Sequence, residues 1–132
     1  MIKVYLAGIA SLYEGEDIEI QYSIYDDLEL ICKKSVSMDY VKPAIVGQVA
    51  MRTVLNKLKK YISKEVVVVV NDTALYESIR GTLKTKNIDV LKMARETRKK
   101  IAGFENFTIE NVSGNYVKTE KWMQALKDCK SI

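Results

Sequence analysis

The chain has 132 residues, of which 48% are hydrophobic and only one is Pro, so it can bury the core of an ordinary folded domain. It contains 21 Lys and Arg against 17 Asp and Glu, and the net charge of +4 is compatible with nucleic-acid binding without being diagnostic of it. It contains no His, which excludes Ser-His and Cys-His nucleophile pairs and every zinc site that uses His.

The targeting and redox features of the chain predict a cytoplasmic protein without membrane association. A strand-like pattern (MIKVYLAG) begins the chain without the layout of a signal peptide, and no apolar run approaches the length of a membrane span. Cys32 and Cys129 lie far apart and fit no CxxC spacing, which favours reduced thiols. Because no linker, repeat or low-complexity tract divides the chain, we predict a single domain over residues 1–132.

Three strands are predicted in the N-terminal part of the chain. Residues 2–10 are almost wholly apolar, as expected of a buried strand. In residues 18–24 apolar and polar side chains alternate, which is typical of a half-exposed strand. Asp26 and Asp27 form a plausible turn, and residues 28–35 return as a third strand, so the three strands should pair as an antiparallel meander.

An amphipathic helix is predicted over residues 41–62, with Pro43 near its start, where helices tolerate proline. Its buried stripe and its water-facing residues follow helical spacing. The predicted stripe consists of Met51, Val54, Leu55, Leu58 and Ile62, and the predicted outer face of Arg52, Asn56, Lys59 and Lys60.

The fourth predicted strand is a run of five valines at residues 66–70. β-Branched residues without polar alternation are typical of a strand buried on both faces, such as a central parallel strand. Asn71 and Asp72 follow as a helix-start signal, and Leu75 and Ile79 recur at helical spacing. Ligands of open α/β sheets bind at the carboxyl ends of such strands, so Asn71, an amide that cannot ionise, occupies a potential site.

The C-terminal part predicts a helix over residues 89–102, a strand around Phe107 and Ile109, and a final helix over residues 117–128. The predicted inward faces of these helices are Val90, Met93, Ala94, Thr97 and Ile101, and then Trp122, Met123, Leu126 and Cys129. Right-handed crossovers place the fourth strand beside the first, which predicts a mixed five-stranded sheet with helices on its faces.

Three stretches of the sequence resemble the ribonuclease H family. Residues 48–58, QVAMRTVLNKL, are similar to its first-helix pattern, Q-A-E-x-x-A-L-x-x-x-L. Residues 71–81, NDTALYESIRG, run in step with its D-S-x-x-V-x-x-x-x-x-G after the fourth strand, and residues 89–112 resemble its compact members. The resemblance covers nearly the whole chain and implies an α/β, ribonuclease H-like fold with sheet order 3-2-1-4-5, strand 2 antiparallel and helices on both faces.

The resemblance implies a two-metal phosphodiesterase site in which carboxylates hold two Mg²⁺ ions. Carried over one position at a time, it puts Ala7 at the first-strand Asp, Ala50 at the first-helix Glu and Asn71 at the fourth-strand Asp. The last-helix Asp falls at Glu120 or Lys121. Alanine cannot ligate a metal and an amide is a poor substitute for a carboxylate, so we predict that the cleavage site is absent. We expect no enzyme activity, no bound metal and no other cofactor.

Asp72 lies one residue beyond Asn71 and has two interpretations. In the first it replaces the missing acid, helped by Glu120, Asp17 or Glu14, and the protein is a nuclease that depends on Mg²⁺ or Mn²⁺. In the second it caps the following helix, which stabilises a helix by about 1 kcal/mol. We favour the cap, because a residue shifted by one along a strand points to the opposite face.

The candidate nucleic-acid-binding residues are Lys92, Arg95, Arg98, Lys99, Gln48 and Ser11. The first four project from the third helix, where Lys92, Arg95 and Lys99 share one face, and the alternative is an ordinary solvated helix face. Gln48 matches a position that approaches the substrate strand in the family. Ser11 ends a segment that either presents backbone amides to a ligand or is a plain strand end.

The sequence therefore predicts a non-catalytic ribonuclease H-like domain that binds RNA or an RNA–DNA hybrid through the basic helix face. A protein-interaction or dimerisation module is the alternative, and it predicts an exposed apolar edge on the third strand around Ile31 and Val36. A nuclease with relocated carboxylates is the third. The physiological ligand and the oligomeric state are left open by the sequence.

Overall fold

The structure, a computed structural model, describes residues 1–129, so residues 130–132 of the predicted domain lie outside the described residues. Its strands are β1 (Ile2–Ile9), β2 (Ile18–Asp26), β3 (Glu29–Met38), β4 (Glu65–Val70) and β5 (Asn106–Asn111). Its helices are α1 (Val46–Lys57), α2 (Thr73–Arg80), α3 (Ile88–Ile101) and α4 (Tyr116–Leu126), with 3₁₀ turns at Pro43–Ile45 and Lys59–Tyr61. No helix in the described part of the chain is long and apolar enough to cross a bilayer.

The five strands form one mixed sheet in the order β3-β2-β1-β4-β5. β1 lies at its centre, where Val4 is opposite Ile24 of the antiparallel β2 and opposite Val68 of the parallel β4. β3 is antiparallel to β2, and β5 is parallel to β4. The predicted strand order, with β2 antiparallel, is confirmed.

Helices cover both faces of this sheet, because alternate residues of each strand point to opposite sides. On one side Val4 and Leu6 of β1 belong to the main core, which also contains Met51 of α1. On the other side Tyr5 belongs to a smaller cluster with Leu126 of α4. The carboxyl ends of β1 and β4 therefore lie between α1 and α4.

Two buried positions were predicted wrongly, and both lie where helical spacing ends or faces an open space. Ile62 is 46% exposed, because α1 ends at Lys57 and a 3₁₀ turn carries the chain out of the helical register. Met123 is 52% exposed, because it lies on the cleft described below. β3 also continues to Met38, beyond its predicted end at residue 35.

Candidate functional site

A cleft of about 580 Å³ opens at the carboxyl ends of β1 and β4, where ligands of open α/β sheets are expected. Its apolar lining includes Leu6, Ala7, Ala50, Val70, Leu75, Trp122 and Met123. Its polar lining consists of Gln21, Asn71, Asp72, Gln124, Lys127 and Asp128. The cleft therefore combines an apolar surface with a small number of polar groups.

The three positions that the resemblance paired with family carboxylates all line this cleft. Ala7 comes from β1, Ala50 from α1 and Asn71 from the end of β4. Ala50 is fully buried, and a Cβ at Gly8 would lie 3.1 Å from the Ala50 Cβ and 3.0 Å from the Val46 carbonyl oxygen. The end of β1 thus packs closely on α1, and the methyl groups of two alanines occupy the positions at which the resemblance expects acids.

Asn71 presents an amide at the edge of the cleft. Its Oδ1 accepts a hydrogen bond of 2.8 Å from the Ser113 hydroxyl, and its Nδ2 has no hydrogen-bond partner within residues 1–129. The side chain is exposed, so its two N–H donors remain available to a ligand.

Asp72 caps α2, as predicted. Its Oδ1 accepts a 3.0 Å hydrogen bond from the Leu75 backbone N–H, and its own N–H donates to Asn111 Oδ1 at 3.2 Å. Its Oδ2 lies only 2.7 Å from the place that a Cβ of Gly47 would take, so the carboxylate sits directly against the first turn of α1. One oxygen of Asp72 is committed to the cap, and the other borders the cleft.

The cleft does not fit a site for two Mg²⁺ ions. Asp72 and Asp128 are the acids that line it, and one Asp72 oxygen already serves the helix cap. Glu120 is not among the lining residues, and neither are Glu14 and Asp17 of the β1–β2 loop. Among residues 1–129 no group of three or more His, Cys, Asp and Glu side chains could hold a metal ion. Two-metal chemistry needs several converging carboxylate oxygens, which the described residues do not supply.

Two residues of the α4 end were missed as cleft residues. Asp128 was expected inside a helix that runs to residue 128, but α4 ends at Leu126 and Asp128 has a φ of 61°. Trp122 was expected in the core. It is half-buried, donates its indole N–H to the Leu6 carbonyl at 3.0 Å and also lines the cleft. No local pattern in the sequence distinguishes these positions from ordinary helix residues.

The predicted basic face of α3 is exposed to solvent at Lys92, Arg95 and Lys99. Within residues 1–129 none of these three side chains forms a salt bridge. Glu96, which might have neutralised the face, pairs instead with Arg52 of α1 at 2.8 Å. The face therefore retains its positive charge, although it does not line the cleft.

Gln48 and Arg98 have structural partners. Gln48 is only 3% exposed, its Nε2 donates to the Ser78 hydroxyl at 2.5 Å, and its Oε1 accepts from the Thr97 hydroxyl at 3.3 Å. Arg98 donates from Nη1 to the Ser78 carbonyl at 2.6 Å. Both residues join α2 to its neighbouring helices. The prediction that Gln48 approaches a polynucleotide is not supported by this buried position.

Ser11 lies in the β1–β2 loop, away from the cleft. Its hydroxyl donates to Glu16 Oε2 at 2.8 Å and accepts from the Tyr13 N–H at 3.1 Å. Ser11 therefore orders its own loop, and the structure does not bring it together with the basic face of α3 or with the cleft.

Neither a protein-family model nor a curated protein sequence matches the chain. Several solved structures match its fold. The RNase H1 of the halophilic archaeon Halobacterium salinarum NRC-1 is 13% identical with a TM-score of 0.77, covering 95% of this chain and 92% of that chain. The N-terminal RNase H domain of Rv2228c from Mycobacterium tuberculosis is 12% identical with a TM-score of 0.75, covering 97% of both chains. LC11-RNase H1 in complex with an RNA/DNA hybrid is 15% identical with a TM-score of 0.77, covering 98% and 96%. At such low identity these likenesses show the fold alone.

Proposed function

We propose that this chain, which has a ribonuclease H-like fold, is a non-catalytic domain that binds RNA or an RNA–DNA hybrid. The observation that carries the proposal is the composition of the cleft, where Ala7, Ala50 and Asn71 stand at the positions that the family uses for metal ligands. Hydrolysis by two metal ions has no ligand set there, whereas binding to a nucleic-acid backbone needs only positive charge.

The basic face of α3 supplies that charge. Lys92, Arg95 and Lys99 are exposed, and no acid of residues 1–129 pairs with them. Lysine and arginine side chains that contact phosphates release counterions, so such binding weakens as salt increases. One of the similar solved structures is an RNase H1 that is in complex with an RNA/DNA hybrid, which makes a hybrid the first ligand to test.

Fluorescence anisotropy with a labelled RNA–DNA hybrid, single-stranded RNA and duplex DNA tests the proposal. We expect binding that weakens between about 50 and 200 mM salt, and intact substrate on a gel after incubation with Mg²⁺. The variant Lys92→Ala/Arg95→Ala/Lys99→Ala should bind more weakly, and its plot of log affinity against log salt should be flatter by up to about three.

A matched control removes the same charge elsewhere. Lys57, Lys59 and Lys60 are exposed at the end of α1, and their triple alanine variant should keep most of the wild-type affinity. Equal losses in both triple variants would mean that net charge, and not the α3 face, drives binding. Cleavage of the hybrid in Mg²⁺ or Mn²⁺ that disappears in Asp72→Ala would overturn the non-catalytic assignment.

A protein-interaction module is the second candidate, because β3 is an edge strand on which Leu30 and Ile31 are 47% and 44% exposed. Two features work against pairing at this edge. The register shifts at Ile31, which makes a bulge, and Lys33 and Lys34 follow in the same strand. Val36, predicted on the exposed patch, is half-buried against the main core. Sedimentation that shows salt-insensitive self-association, lost in Ile31→Lys, would favour this candidate.

A further inference from the structure

The cleft has no task in backbone binding through α3, yet it has the size and composition of a ligand site. Its volume of about 580 Å³ lies within the range of roughly 300–1,000 Å³ that is usual for small-molecule sites. Apolar side chains line most of it, and the small residues Ala7 and Ala50 leave its inner end open. A flat apolar group would therefore find both space and contact surface there.

Trp122 supplies an aromatic ring to this space. It is the single Trp of the chain, and it lines the cleft. Its N–H is already bonded to the Leu6 carbonyl at 3.0 Å, which fixes the indole and means that a ligand does not need to satisfy that donor. Fixed aromatic side chains are the usual stacking partners of unpaired bases.

The polar groups beside the ring form a donor and an acceptor from consecutive residues. Asn71 has its Nδ2 donors free, and Asp72 has its Oδ2 free of hydrogen bonds within residues 1–129. Gln21 adds a second acceptor, because its Nε2 donates to Glu19 at 3.1 Å and its Oε1 has no partner in the described part of the chain. Such a mixture matches the edge of a heteroaromatic base, which carries donors and acceptors side by side.

The charges of the cleft favour a base over a phosphate. Asp72 and Asp128 line it together with a single cation, Lys127. Two carboxylates repel an anion, whereas an uncharged base with N–H groups can donate to them. The group that enters the cleft should therefore be neutral.

We infer that this cleft binds an unpaired nucleobase, stacked with Trp122 and hydrogen-bonded by Asn71 and Asp72. The inference rests on the proposed function in one respect, since a bound polynucleotide would deliver the base. A second cleft shares Asp72 and Leu75 with the first and extends to Lys84 and Val90 at the start of α3. A strand held by the α3 face thus has an open path toward the base site.

Titration of the protein with free nucleosides tests the base site alone, because nucleosides carry no phosphate. Trp122 reports binding through its own emission. We expect a saturable change with a dissociation constant on the order of 0.1 to 1 mM for at least one of adenosine, guanosine, cytidine and uridine. Ala7→Leu, which fills the cleft, should weaken this binding by at least about tenfold, as should Asn71→Ala.

Asp72→Ser provides a second variant that keeps the fold, since Ser also caps helices well, but removes the free carboxylate oxygen. It should weaken the binding of the preferred nucleoside and leave the urea midpoint nearly unchanged. The triple variant Lys92→Ala/Arg95→Ala/Lys99→Ala should bind nucleosides like the wild type, because its substitutions lie outside the cleft.

The outcomes separate the two proposals. No emission change with any nucleoside, while the hybrid still binds, overturns the base site and leaves the proposed function standing. Nucleoside binding without polynucleotide binding overturns the proposed function and leaves the base site standing. Wild-type nucleoside affinity in a folded Ala7→Leu variant would place the nucleoside elsewhere and would also overturn the inference.

Discussion

Glu19 is the carboxylate whose hydrogen bonds most clearly perturb its titration. It lies on β2, on the side of the sheet opposite Ile18 and Ile20. Its Oε1 accepts hydrogen bonds from the hydroxyl of the buried Ser35 on β3 and, at 3.1 Å, from Gln21 Nε2. The Ser35 hydrogen bond, followed by that of Gln21, holds the pKa of Glu19 below its ordinary value of 4.5.

Because the folded-state pKa of Glu19 is lowered, its ionised form stabilises the fold above pH 4.5, and that contribution is lost as pH falls through the folded pKa. We expect Glu19→Gln to be less stable than the wild type near neutral pH and to lose less stability in acid. Urea denaturation across this pH range measures both effects. Glu14→Gln, in an exposed loop, is the charge-matched control and should follow the wild-type curve. Parallel acid limbs for Glu19→Gln and the wild type would contradict the assignment.

At the scale of elements, the attachment of α3 depends on buried polar contacts as well as on apolar packing. Gln48 of α1 bonds to Ser78 of α2 and to Thr97 of α3, and Ser78 in turn donates to the Leu75 carbonyl at 2.7 Å. Buried polar groups of this kind are costly when a partner is removed, because the remaining groups lose their hydrogen bonds without regaining water. The network therefore fixes the position of the helix that carries the basic face.

Gln48→Ala should lower the free energy of unfolding by about 1–3 kcal/mol, since it leaves Ser78 and Thr97 each short of one hydrogen bond. Urea denaturation measures the loss. Gln124→Ala is the matched control, because Gln124 is exposed on α4, and it should change the free energy by less than about 0.5 kcal/mol. A similar small change in Gln48→Ala would show that apolar packing alone holds the three helices together.

At the scale of the whole molecule, the ribonuclease H-like sheet brings the ends of β1 and β4 together with α1 and α4, whatever residues occupy those ends. In this chain the meeting point is mostly apolar and borders two acids, Asp72 and Asp128. Architecture and chemistry are thus separable, because the fold depends on the buried strands and a metal site depends on a few polar side chains.

Thermal unfolding with and without Mg²⁺ examines this separation. A ligand that binds only the native state at one hundred times its dissociation constant stabilises it by about 2.7 kcal/mol, which raises Tm by several degrees. We expect no such rise at about 10 mM MgCl₂ relative to NaCl of equal ionic strength. A saturable, Mg²⁺-specific increase in Tm would instead reveal a metal site that the carboxylates of residues 1–129 do not explain.

The sequence by itself determined the strands, the helices and their order, because these follow from local patterns. The valine run predicted a strand buried on both faces, and it is β4 at the interior of the sheet. The Asp72 cap and the left-handed Gly81 that bound α2 are signals within a few residues of the helix. Periodicity and capping depend on neighbours in the chain, so they are readable before any tertiary contact is known.

Only the tertiary structure decided which side chains form the cleft and which are buried. Gln48 and Thr97 meet although they lie 49 residues apart, and Trp122 bonds to Leu6 across 116 residues. No local pattern distinguishes a buried Gln from an exposed one or tells a core Trp from one that also borders a cleft. The physical reason is that burial and hydrogen-bond partners are set by distant segments that pack together, whereas propensity is set by adjacent ones.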